Sequence, residues 1–309
     1  MKILFICSNL IGDTILSSGV FKHFIDQNEN AKLTFIVGPT AAPLLKNYKN
    51  VENIIILKKR KFNLHWIDIL KSTFGTKWDI VIDFRSSLIS YILRNKKKYI
   101  FKKQHNIHHI DQLNSSFGFN CSNLFVPISY EEQEKANNDL ENSFKHIIIF
   151  PGGNWIPKLW SIKNYNLLMK SLLKKYNKIK FVLVGSSKEK TKFYKELVKD
   201  INEDFLIDLF GLDLTLTSAY MKKSILFVGN DSGLMHLSVA SKLRVISLFG
   251  PTNDKVYRPY GKKNIVIRTS ESLDYFKSIN IDETKSYMSS INLDIVIQNC
   301  EKLLNENYN

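Results

Sequence analysis

Short unbroken apolar runs alternate along this chain with stretches whose apolar residues recur at helical spacing. Residues 3–7, 33–37, 53–57 and 80–83 are runs of the first kind, suited to strands of a parallel sheet covered on both faces, and residues 99–101 are a candidate fifth. A helix is predicted over 14–26, after the turn Ser8-Asn9-Leu10-Ile11-Gly12-Asp13. A second series then predicts strands over 147–150, 180–184, 205–208, 225–228 and 244–249, with helices over 163–175, 188–200 and 215–223 and another beginning at Leu234. Between the two series the polar, acidic stretch 129–145 reads as a connection. Past Ile267 the rhythm fades, and an apolar helical pattern returns over 293–304. The predicted fold class is therefore α/β, with parallel-sheet domains at 1–128 and 146–309, a linker at 129–145, and no repeat relating the two halves.

Composition narrows this picture. At 309 residues, 44% of them hydrophobic, the chain is long enough for two ordinary α/β domains. No apolar run reaches the roughly 18 residues of a membrane-spanning helix. The opening MKILFICSNLIGDTIL lacks a charged leader region with a cleavage site, so a cytoplasmic protein is expected. Cys7, Cys121 and Cys300 have neither disulfide nor metal spacing and are expected as reduced core thiols. A formal net charge of +15 attracts phosphate, whether on nucleic acid, lipid head groups or nucleotide-linked substrates. The abundance of Lys, Asn and Ile gives that charge a plainer origin as well, in composition and solvated surface. Clustering is more specific. Arg85, Arg94, Lys96, Lys97, Lys98, Lys102 and Lys103 occur with no acidic residue among them, and Lys58-Lys59-Arg60-Lys61 forms a second group.

Four polar turns, each after a predicted strand, carry the candidate chemistry. Gly12 permits close backbone approach, and Asp13 opens a helix whose dipole favours the ionised carboxylate. Such a carboxylate can take a proton from a substrate hydroxyl, or can serve only as an N-cap. In Pro151-Gly152-Gly153-Asn154-Trp155-Ile156-Pro157-Lys158-Leu159-Trp160 a lone lysine can set its ammonium against a phosphate; a surface loop anchored by Trp160 would read the same way. Gly185-Ser186-Ser187-Lys188-Glu189 can aim Glu189 at a ribose hydroxyl or simply cap a helix. The fourth turn, Gly229-Asn230-Asp231-Ser232-Gly233, lies between a buried strand and the helix that carries His236, and would form an anion site at a helix N-terminus. The sequence contains no Walker-type phosphate loop, G-x-G-x-x-G, nucleophile elbow or D-x-D pair, and no His/Cys set with metal-ligand spacing. No recognition-helix, RRM or KH pattern accompanies the charge, which disfavours nucleic acid as a partner.

In this order the turns resemble those of glycosyltransferase family 9, the lipopolysaccharide heptosyltransferases and their relatives. The resemblance rests on Gly12-Asp13, Asp83-Phe84-Arg85, Pro151-Gly152 leading to Lys158-Leu159-Trp160, and Gly185 with Glu189. Its most specific block is Asn230-Asp231-Ser232-Gly233-Leu234-Met235-His236, followed by Phe249-Gly250-Pro251-Thr252. It implies a GT-B architecture, in which two Rossmann-like domains face each other across a cleft, the first binding the acceptor and the second the nucleotide-sugar. It also implies an inverting, metal-independent transfer without a cofactor, from a donor such as ADP-heptose. In that scheme Asp13 is the general base, Lys158 and the amides of Ser232, Gly233 and Leu234 neutralise the diphosphate, and Glu189 holds the ribose. Gly12, Asp231 and His236 would also lie at the donor. The implied acceptor is a phosphorylated glycolipid of the lipopolysaccharide core at the inner face of the cytoplasmic membrane. Arg85, Arg94, Lys96, Lys97 and Lys98 then become acceptor- or membrane-facing cations that retain the enzyme peripherally on anionic lipid. Two stretches follow the family loosely: 99–118, which leaves His105, His108 and His109 without roles, and 268–292. The alternatives are a UDP- or GDP-sugar used on another acceptor, and a nucleotide-sugar-binding protein without transfer activity.

Overall fold

The computed structural model describes residues 1–58 and 65–306. Lys59, Arg60 and Lys61 of the second basic group lie outside the described residues. The chain divides into two compact units, Met1–Ser129 and Tyr130–Asn309.

The first unit comprises β1 (Lys2–Ile6), α1 (Ile11–Leu16), α2 (Ser18–Gln27), β2 (Lys32–Val37), β3 (Val51–Ile56), α3 (His65–Thr73), β4 (Trp78–Asp83), α4 (Ile89–Ile92), β5 (Asn95–Ile100) and α5 (His109–Phe117). Its sheet has the order β3-β2-β1-β4-β5, with every neighbouring pair parallel. After Lys2 the central strand is apolar because both its faces are covered, and Ile3, Leu4, Phe5 and Ile6 are fully buried. Phe5 packs against Phe21 and Phe35 on one face. Leu4 and Ile6 join Ile36, Val81, Ile89 and Leu93 on the other.

The second unit comprises α6 (Tyr130–Asp139), β6 (Lys145–Phe150), α7 (Ile162–Lys175), β7 (Ile179–Gly185), α8 (Ser187–Leu197), β8 (Leu206–Phe210), α9 (Leu214–Lys223), β9 (Leu226–Asn230), α10 (Gly233–Ala240), β10 (Arg244–Phe249), α11 (Asp254–Tyr257), β11 (Ile265–Arg268), α12 (Leu273–Ser278) and α13 (Leu293–Asn305). Its strands run β11-β10-β9-β6-β7-β8, again all parallel. In each sheet the order of laying down strands reverses once, between β1 and β4 in the first and between β6 and β9 in the second. The crevice at the carboxyl ends of strands beside such a reversal is where open α/β sheets bind ligands. The turns that carry Asp13, Arg85, Lys158 and Asp231 leave those four strands.

Several elements differ from the sequence reading. The helix predicted over 14–26 starts earlier and is interrupted at Ser17, whose hydroxyl bonds back to the Asp13 carbonyl at 2.9 Å. The stretch expected as a linker holds α6, which packs on α9: Tyr220 and Thr215 donate to the carboxylates of Asp139 and Glu132. The candidate strand at 99–101 is β5, which begins four residues earlier and takes in Lys96, Lys97 and Lys98. The weakly patterned stretch 268–292 holds the end of β11, α12 and a segment hydrogen-bonded to the Lys158 loop. No helix among the described residues is long and apolar enough to cross a membrane. The three cysteines are buried free thiols.

Candidate functional site

In the second unit the polar turns gather around Asn230, the last residue of β9 and fully buried. Its amide nitrogen donates to the carbonyls of Pro151 and Gly152, at 2.9 and 3.0 Å. Its amide oxygen accepts from the Trp160 backbone N–H at 3.1 Å and the Tyr165 hydroxyl at 3.0 Å. Both donors and both acceptor directions of the side chain are thereby used, which fixes the amide orientation and holds the loop 151–160 at each end.

Lys158 rides on that loop, in the short 3-10 turn Ile156–Lys158. Its ammonium stands 3.5 Å from the Asp231 carboxylate, with only 12% and 10% of the two side chains exposed. Asp231 is fixed in turn by its backbone N–H, which donates to the Leu248 carbonyl of β10. Ser232 is the N-cap of α10, with its hydroxyl accepting from the Met235 amide. Gly233 and Leu234 supply the first amides of the helix, which no helix carbonyl can reach. The Ser232-Gly233-Leu234 turn is half-exposed, while Asp231 and His236 are buried. A nearly buried ammonium beside a helix N-terminus is an arrangement that can receive an anion, and the ion pair with Asp231 holds the lysine at that place.

Glu189 has a more constrained position than a free ribose ligand. One carboxylate oxygen accepts from the Gly153 amide at 2.7 Å, and the other from the Ser186 amide and hydroxyl, both at 2.7 Å. This is a reciprocal capping box at the start of α8, and it also ties the Gly152-Gly153 loop to the β7 turn. A side chain at Gly152 would place its Cβ 2.0 Å from that carboxylate, so any larger residue there would push Glu189 off its capping and loop bonds.

In the first unit Asp13 is the third residue of α1, behind the N-cap Leu10. Its half-buried carboxylate accepts from the Ser8 hydroxyl at 2.9 Å. Gly12 stands next to it in the same first turn. Arg85 reaches this end of the sheet, donating to the Asn9 side chain at 3.0 Å with its guanidinium 5.3 Å above the Trp66 ring. Asp83 is spent on the turn itself, accepting from the amides of Arg85 and Ser87. The remaining expected cations do not join Arg85. Arg94 closes the amino end of the β4–β5 pair, and Lys96, Lys97 and Lys98 run along β5, the exposed edge strand, where Lys96 is bound to Asp79 at 2.6 Å.

Of the three histidines without an assigned role, His105 is exposed and His108 caps α5 by accepting from the Ile110 amide. His109, the first residue of α5, packs its ring 5.2 Å from Phe101. Burial holds its pKa below the usual histidine value against the pull of the Asp13 carboxylate, with His108 and Lys103 lowering it further. His109 therefore belongs to the electrostatic surroundings of Asp13. Arg268 was equally unmarked in the sequence, and its guanidinium donates to the Gly250 and Thr252 carbonyls and the Asp254 carboxylate, locking the turn after β10. Among the described residues no three His, Cys, Asp or Glu side chains gather as a metal-ligand set.

The model of glycosyltransferase family 9 (heptosyltransferase) matches residues 82–285. A lipooligosaccharide heptosyltransferase 2 of Campylobacter jejuni is 24% identical over 85% of this chain and 86% of its own. Among solved structures, a glycosyl transferase family 9 protein of Veillonella parvula superposes with a TM-score of 0.78 at 20% identity, over 99% of this chain and 97% of its own. The E. coli heptosyltransferase WaaC with ADP superposes at 0.74 and 17% identity, over 98% of this chain and all of its own.

Proposed function

This chain belongs to glycosyltransferase family 9, and from that premise we propose that it transfers heptose from ADP-heptose to a phosphorylated glycolipid acceptor of the lipopolysaccharide core. The reaction is an inverting displacement. The acceptor oxygen attacks the anomeric carbon as the bond from that carbon to the diphosphate breaks, and Asp13 takes the acceptor proton. Lys158 and the amides of Ser232, Gly233 and Leu234 receive the charge that develops on the diphosphate, in place of a metal ion. Asp231 sets the lysine, His236 and Gly12 border the donor, and Glu189 holds the ribose edge while keeping the Gly153 loop in place. Arg85 binds acceptor phosphate. The enzyme works in the cytoplasm, peripherally at the anionic inner face of the membrane.

The observation that carries the donor part is the Lys158 ammonium held 3.5 Å from Asp231 at the head of α10. The choice of ADP is supported by the likeness to the E. coli enzyme solved with ADP. Two measurements test the reading. ADP should raise the thermal midpoint more than UDP or GDP, since a ligand that binds the folded state stabilises it; a preference for UDP or GDP would reassign the donor. Asp13→Asn should lower turnover at least about a hundredfold while leaving ADP affinity near that of the unaltered enzyme. Retained turnover would remove Asp13 as the base.

A further inference from the structure

The two sides of α4 have opposite surroundings. Ile89 and Leu93 are buried in the apolar layer with Leu4, Ile6 and Trp78. Leu88, Tyr91 and Ile92 are 82%, 61% and 52% exposed. Their spacing of three and four residues puts them on one helical face, so they form a continuous ridge. Large apolar residues scattered singly over a surface are ordinary, but a ridge of three beside one another marks an interaction site.

The neighbouring charge selects the occupant. The Lys98 ammonium lies 4.1 Å over the Tyr91 ring, and Arg94, two residues past Ile92, is exposed. No Asp or Glu occurs from Arg85 to Ile110. Asp79, the carboxylate that faces Lys96, is already engaged by that lysine and by the Lys2 amide. Cations bordering an apolar ridge suit a surface that is anionic outside and hydrocarbon within. Leucine and isoleucine enter the acyl boundary, the tyrosine ring rests at the head groups, and lysine and arginine meet phosphate. A second copy docked about a twofold axis would instead set like charges of the two ridges near one another.

We propose that Leu88, Tyr91 and Ile92 form a wedge that inserts into an anionic lipid bilayer, with Lys98 and Arg94 against the head-group phosphates. This deepens the membrane part of the proposed function, and vesicle binding tests it without donor or acceptor. The full chain should bind phosphatidylglycerol-containing vesicles, and L88S/I92S should bind them about tenfold or more weakly, with the deficit persisting at high salt. Ile92→Cys carrying an environment-sensitive fluorophore should shift to the blue on those vesicles, the native thiols being buried. Turnover of L88S/I92S on a lipid-free acceptor fragment should be unchanged.

If wild type and L88S/I92S bind alike and the fluorophore stays in water, charge alone holds the surface; the wedge then falls and the peripheral reading stands. Failure of the wild-type chain to bind any vesicle would overturn both. A dimer in sedimentation that L88S/I92S abolishes would assign the ridge to a second copy and overturn the wedge.

Discussion

His146, in β6, has 2% of its surface exposed, and its Nε2 has no hydrogen-bond partner among the described residues. Burial lowers its pKa from the ordinary value of 6.5, Lys180 and Lys223 add to the effect, and Glu141 opposes it. The unfolded chain therefore takes up a proton below about pH 6.5 that the folded chain declines until a lower pH, so stability is lost as pH falls through that window. The thermal midpoint should drop between pH 7 and pH 5, and His146→Leu should flatten the decline. An unaltered slope in circular dichroism melts would place the acid sensitivity elsewhere, for example at His23 or His109, which are shifted in the same direction. Single residues were the least legible part of the sequence. Asn230 looks there like any turn former, because the partners that make it a hub lie 65 to 79 residues away. In the sequence Glu189 fits a helix cap or a ribose ligand equally well; its bond to Gly153, 36 residues upstream, depends on how two loops meet.

Elements were legible in proportion to their burial. The strands covered on both faces announce themselves through apolar runs, Ile3–Ile6 in β1 and Ile147–Phe150 in β6, and β10 does so with Ser247 as its one polar interruption after Arg244. β5 does not, because an edge strand can carry lysine on both sides, and charge there also discourages pairing with another chain. The loop 151–160 was recognisable as a turn, but not its fixed shape, which comes from Asn230, Glu189 and the segment 286–291. Asn230→Ala should orphan the Pro151 and Gly152 carbonyls and the Tyr165 hydroxyl, costing about 2–4 kcal/mol of stability. With Lys158 no longer held in place, ADP affinity should fall about tenfold or more. If calorimetry on folded Asn230→Ala gives unchanged affinity, the other contacts suffice to hold the lysine.

At the scale of the molecule, the two-sheet α/β organisation followed from the alternation of runs, while the positions of the charges did not. A net charge of +15 favours anionic surfaces at long range, and this attraction is screened by salt. Lys96 is partly compensated by Asp79, so the cations of β5 that matter most are Lys97 and Lys98, whose ammonium groups lie over Tyr99 and Tyr91. Replacing both by Gln should weaken binding to anionic vesicles at low salt, with the difference vanishing at high salt. A difference that survives high salt would mean packing against the tyrosines, and not charge, is the contribution. The segment after α12 also bears on how the chain can be shortened. The family match ends at 285, yet Ser286 donates to the Leu159 carbonyl, the Tyr287 amide to Pro157, and the Trp160 indole to the Ile291 carbonyl. A truncation at the matched boundary would retain Lys158, Glu189 and Asp231 while removing the floor under the loop and the core residues of α13, so trimmed versions for crystallisation or fusion should extend through Asn305.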